Sequence, residues 1–105
     1  MNREERQLYN FIDKFKHHIQ QHLYFYPTAI SNLNHFSDRL LDKCNGDFEI
    51  NFELFRRNIK EMIKDSEPTT RQGINIIDKL ELFVKKGRNV NDFINIVYWV
   101  YEDYK

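Results

Sequence analysis

The chain has 105 residues, 41 % hydrophobic and 15 % aromatic, with 16 basic and 16 acidic side chains that cancel. That is the length of one domain with a self-sufficient core, and nine Phe and six Tyr argue against disorder. The charge balance gives no field toward DNA or an anionic membrane, the lone Cys44 forms no internal disulfide and suits a reducing cytoplasm, and the sequence has neither a signal-peptide-like start nor an apolar run of bilayer length.

Leu8, Phe11, Ile12, Phe15, Ile19, Leu23 and Tyr26 recur at helical spacing and predict a first helix from about Arg3 to Tyr24 or Tyr26, broken at Pro27. A second helix is expected from about Thr28, a plausible N-cap, to Cys44. Its stripe is Ile30, Leu33, Phe36, Leu40, Leu41 and Cys44, with Asn45-Gly46 as the stop. Phe48, Ile50, Phe52 and Leu54 alternate with polar residues as a strand would, yet no second run of comparable clarity exists to pair with them. Residues 47–50 are therefore read as an extended connector, and a third helix starts near Asn51. It carries Phe52, Phe55, Ile59, Met62 and Ile63 inward and ends before Glu67-Pro68.

Thr69 followed by Gln72 has the form of a capping box opening a fourth helix. Ile74, Ile76, Ile77, Leu80, Phe83 and Val84 are expected to face the core, Gly73 to permit a close helix contact, and Gly87 to close the helix after Lys85 and Lys86. The densest apolar run follows, from Asn89 to Tyr104, with Val90, Phe93, Ile94, Val97, Val100, Tyr101 and Tyr104 on one stripe that Ile96 and Tyr98 widen. The fold class is all-α: a single domain, 1–105, forming a compact bundle of four to five mostly antiparallel helices with the C-terminal helix central.

Catalytic chemistry finds little footing. Glycines at 46, 73 and 87 make no phosphate-cradling loop, Cys44 lies on an apolar stripe as packing, and no carboxylate falls where burial would raise its pKa. No catalytic residue and no cofactor is expected. His18 and His22 lie one turn apart, and His35, Asp38 and Asp42 share a face of the second helix. Two ligands beside a solvated acidic face fall short of a zinc set, and HExxH and CxxC are absent, so no metal is expected either.

Three apolar side chains stand off their stripes: Trp99, Leu82 and Tyr24. Exposed Trp and Tyr are common interface anchors, and Asp92, Glu102 and Asp103 would form an acidic rim around Trp99 suited to a basic partner. These six residues are the expected protein-binding site for a larger partner. The plainer reading of Trp99 is that a neighbouring helix or a second copy of the chain covers it, so monomer and homodimer both stand. The alternative is nucleic acid, on Arg56, Arg57, Lys60 and Lys64 of the third helix with Arg71, Lys85, Lys86 and Arg88. A helix-turn-helix reading would place Thr69, Thr70, Arg71 and Gln72 at base edges, but the basic excess in this region is mild.

In size, composition and lack of a catalytic signature, the chain resembles helical bacteriocin immunity proteins and phage-encoded inhibitors of host defence, anti-CRISPR proteins included. The likeness is of size and composition alone and transfers no residues. It implies a non-enzymatic, stoichiometric inhibitor or regulator.

Overall fold

The apolar stripes fold into five helices and one two-stranded ribbon among residues 3–36 and 48–102, the part of the chain described by the computed structural model. In chain order these are α1 (Arg3–Ile19), β1 (Leu23–Phe25), α2 (Pro27–Asn34), α3 (Phe48–Lys64), β2 (Ser66–Pro68), α4 (Arg71–Lys86) and α5 (Val90–Glu102).

The C-terminal helix is central, as its apolar density predicts. Phe93 of α5 meets the rings of Phe11 and Phe15 from α1, Phe36 just beyond α2, Phe55 from α3 and Phe83 from α4, with centroids 5.0 to 6.3 Å apart. Four of the five pairs are edge-to-face, the arrangement that sets the positive ring edge against the negative face. Ile12, Ile19, Ile59, Met62, Ile76, Leu80 and Val97 complete the shell, all fully buried. Among the described residues one polar side chain is buried with them: Asn58, whose Nδ2 donates to Asn32 Oδ1 at 3.1 Å.

The first helix is shorter than its periodicity suggests. After Ile19 the bonds tighten, with Gln21 N–H donating to His18 O and His22 N–H to Ile19 O, and this i→i−3 turn releases the chain into β1. β1 pairs antiparallel with β2 in the register Leu23↔Pro68, Tyr24↔Glu67, Phe25↔Ser66. Tyr26 N–H donates to Asp65 O and Thr69 N–H to His22 O, each at 2.9 Å. These bonds sit on alternate pairs, so Pro68 falls at a pair that exchanges none and its missing N–H leaves no gap. The fold is the expected all-α bundle, to which this small antiparallel ribbon is an addition. Ser-Glu-Pro carries no strand signature, and backbone pairing alone makes β2.

Other boundaries move for local reasons. Tyr26, in extended conformation, is the N-cap of α2 and Pro27 its first helical residue, a position where proline's fixed φ suits and its lost N–H is not needed; Thr28 lies inside the helix. Residues 37–47, which hold the expected continuation through Leu40, Leu41 and Cys44, lie outside the described residues. Helix α3 begins at Phe48, so 48–50 is helical rather than the extended connector expected, and residue 47 lies outside the described residues. Phe48, Phe52, Phe55 and Ile59 follow one another at i, i+4, i+7 and i+11, and this period extends the helix backward over the alternation.

Thr70, not Thr69, caps α4: its Oγ1 accepts the Gly73 N–H at 3.1 Å. Thr69 is not the cap because Thr70 after it is still extended, at φ −138° and ψ 166°. Gly87 does end α4, its N–H donating to Phe83 O at 2.6 Å, but its φ of −68° is ordinary. Glycine is needed there because a Cβ would run into the Phe83 ring. Helix α5 opens with a reciprocal cap: Asn89 Oδ1 accepts the Asp92 N–H at 3.0 Å, and Asp92 Oδ2 accepts the Arg88 N–H at 2.8 Å.

Candidate functional site

The ribbon sets the candidate surface. Leu23 and Phe25 point into the core, so strand alternation turns Tyr24 outward, where it is 52 % exposed. Tyr26, two residues on, joins it at 40 % exposure, with the rings edge to face and their centroids 5.2 Å apart. Glu67 lies opposite Tyr24 across the ribbon and accepts a hydrogen bond from the Tyr26 hydroxyl. That bond, followed by desolvation and by the charges of Glu67 and Tyr24, holds the Tyr26 phenol above its ordinary value of 10.0. Ile30, one turn into α2, is also exposed. The result is an exposed aromatic corner with one carboxylate beside it.

Of the six residues expected to bind protein, Tyr24 and Leu82 are exposed as predicted. Leu82 stands on α4 eleven residues beyond Arg71, roughly 16 Å of helix rise from the end of α4 that meets the ribbon at Gly73. Asp92 is half-buried and its carboxylate is engaged at the start of α5, so it is a capping group rather than a free acidic rim. The side chains of Trp99 and Glu102, and Asp103 altogether, lie outside the described residues.

Several side chains assigned to core stripes stand in solvent instead: Tyr26, Ile30, Ile74 and Tyr98. Tyr26 is displaced because the ribbon ends the first helical period before it. Ile30 and Ile74 lie at the margins of their stripes, where α2 and α4 turn away from the core. The signal available in sequence for Tyr26 was its two-residue spacing from Tyr24.

The basic set divides. Arg56 is engaged, its Nη1 donating to Val84 O at 3.1 Å and its Nη2 to Glu53 at 2.7 Å. The bond to Val84 O links the middle of α3 to the end of α4. Arg57, Lys60, Lys64, Arg71, Lys85, Lys86 and Arg88 are exposed. Lys60 and Lys64 of α3 come together with Lys85 of α4 around one cleft, which Glu61 and Glu81 also line. The α3–α4 connection contains β2, so it is not the tight turn of a helix-turn-helix, and buried Gly73 in the first turn of α4 sits against the His22 carbonyl, just before β1, and Pro68 of β2.

The rings of His18 and His22 do meet, with centroids 5.4 Å apart. His22 Nδ1 lies 2.9 Å from Thr70 Oγ1, tying the histidine pair to the cap of α4. Burial first, and then the charge of His22, hold His18 below its ordinary value of 6.5. His35 follows α2, while Asp38, Asp42 and Cys44 lie outside the described residues. Among the described residues, no group of three or more His, Cys, Asp and Glu side chains is placed to hold a metal ion, and no helix is long and apolar enough to cross a membrane. Compared with known proteins, the chain matches no family model, no curated protein and no solved structure.

Proposed function

We propose that this chain is a non-enzymatic protein-binding module, a small stoichiometric inhibitor or regulator of a larger protein, comparable in kind to anti-defence and immunity proteins. The observation that carries the reading is the Tyr24–Tyr26 corner: two exposed aromatic rings held on a short ribbon, with Ile30 on the turn that follows. Aromatic side chains fixed before binding lose little entropy in a complex, and tyrosine is enriched among the residues that dominate interfaces. Leu82 offers a second apolar contact on α4. The test is capture of a partner from lysate of the producing cells by the wild-type chain and by a Tyr24→Ser/Tyr26→Ser variant whose melting curve matches the wild type. Loss of capture supports the site, and equal capture by both removes it.

A second reading, nucleic-acid binding, is favoured by the convergence of Lys60, Lys64 and Lys85 from two helices. It predicts retention on DNA that weakens steeply with salt and is lost in an Arg57→Glu/Lys60→Glu/Lys64→Glu variant. Retention unchanged by that reversal would exclude this face.

A further inference from the structure

We propose that the cleft between α3 and α4 is a binding site for a small amphipathic anion, an apolar body carrying a single carboxylate or comparable acid group. The cleft is open to solvent and has a volume of about 470 Å³, within the roughly 300–1,000 Å³ usual for small-molecule sites. Ile63 and Val84 form its apolar surface, and both are half-buried against the core, so the floor is set by the packing of the bundle. The Arg56–Val84 bond pins the two helices beside it.

Lys60, Lys64 and Lys85 reach the cleft from both sides. Among the described residues none of these three ammonium groups is in an ion pair, in contrast to Lys16 and Arg56, which pair with acids on their own helices. Their aliphatic stems extend the apolar lining while the charged ends stay in water, a division that suits a ligand with the same two-part character.

The remaining lining residues narrow the class. Glu61 and Glu81 also face the cleft, so three positive and two negative charges leave one net positive charge. One charge matches a monoanion. A polyphosphate strand needs several cations in a row and would meet both glutamates at close range. Bases would also find no ring to stack on, since the cleft has no aromatic residue among its described lining. The site shares no residue with the tyrosine corner, so its fate is independent of the partner-binding reading.

The experiment is calorimetric titration of the full chain with sodium decanoate, inorganic phosphate, a dodecameric oligothymidylate and phosphatidylglycerol vesicles in separate arms. Decanoate, kept below its micelle concentration, is expected to bind saturably at one site. A Lys60→Gln/Lys64→Gln/Lys85→Gln variant should bind it at least tenfold more weakly, while Lys14→Gln, on the exposed face of α1, leaves it unchanged. A Val84→Ser variant separates the apolar from the charged contribution and should also weaken decanoate. Melting curves identify any variant that has lost its fold, and the single lysine substitutions then replace the triple. Decanoate binding indifferent to all the lysine substitutions would overturn the proposal. So would an absence of decanoate binding, or saturable binding confined to phosphate, oligonucleotide or vesicles.

Discussion

Gly73→Ala is the substitution that most sharply separates the observed fold from a plain helical bundle. By helix propensity alone the change should stabilise, since alanine is better than glycine inside a helix by up to about 1 kcal/mol. The structure reverses the sign. A Cβ on Gly73 would land on the carbonyl oxygen of His22 and lie 3.2 Å from Pro68 Cβ. That carbonyl is not free to retreat, because it accepts the Thr69 N–H that closes the ribbon. Relief requires α4 to move off His22 and Pro68, which strains that bond, or the ribbon to shift against the core. Forcing an extra methyl into packed structure costs about 1–3 kcal/mol, and a lost backbone hydrogen bond about 1 kcal/mol more. After the propensity gain, the net loss is about 2 kcal/mol. For a chain of this size each kcal/mol at the midpoint moves Tm by about 4–8 °C, so the variant should melt about 10 °C lower. Thermal and urea unfolding followed by far-ultraviolet circular dichroism reads this directly. A variant as stable as the wild type, or more so, would refute the close approach of α4 to His22 and Pro68.

Phe93→Ala removes the ring that touches five others, and should destabilise by about 3–5 kcal/mol in urea unfolding, whereas exposed Leu82→Ala should change stability by no more than about 0.5 kcal/mol. Thr70→Val keeps the shape but removes the oxygen that accepts from Gly73, for an expected loss of about 1 kcal/mol that Thr70→Ser largely restores. Burial holds His18 below its ordinary 6.5, so between its folded and unfolded values the unfolded chain binds the proton that the folded chain refuses. Stability is therefore full above about pH 6.5 and falls as the pH drops through that value, until His18 protonates in the fold as well. The urea midpoint should decline from pH 7.5 to 5.5 less in His18→Gln than in the wild type, and parallel declines would refute this.

The helices were legible because their apolar residues repeat at one period over several turns. Phe55, Ile59 and Met62, or Ile76, Leu80 and Phe83, leave no second interpretation, and all are buried. The central place of α5 followed from Phe93 and Val97 within the densest apolar run. The ribbon was not legible. Leu23-Tyr24-Phe25 reads as the tail of a helix when taken with Ile19, and Ser66-Glu67-Pro68 has no apolar alternation at all. Pairing between them depends on the turn after Ile19 and on backbone groups, which no side-chain pattern records. That miss carried over to the candidate surface: Tyr24 was found because it stood off a helical stripe, while Tyr26 was assigned to the core by the same stripe. Asp92 was misjudged for a related reason, because an acid three residues after Asn89 serves equally well as surface charge or as capping partner, and only the bonds to Arg88 and Asp92 N–H distinguish them.

The most direct test of the binding account is site-specific photocrosslinking in the producing cells, with p-benzoylphenylalanine in place of Tyr24 and, as a control, in place of Lys14 on α1. The account predicts an ultraviolet-dependent adduct heavier than the 12.9 kDa chain, with the photoprobe at position 24 and not at position 14. An absence of adduct at position 24, or the same adducts from both positions, would contradict it.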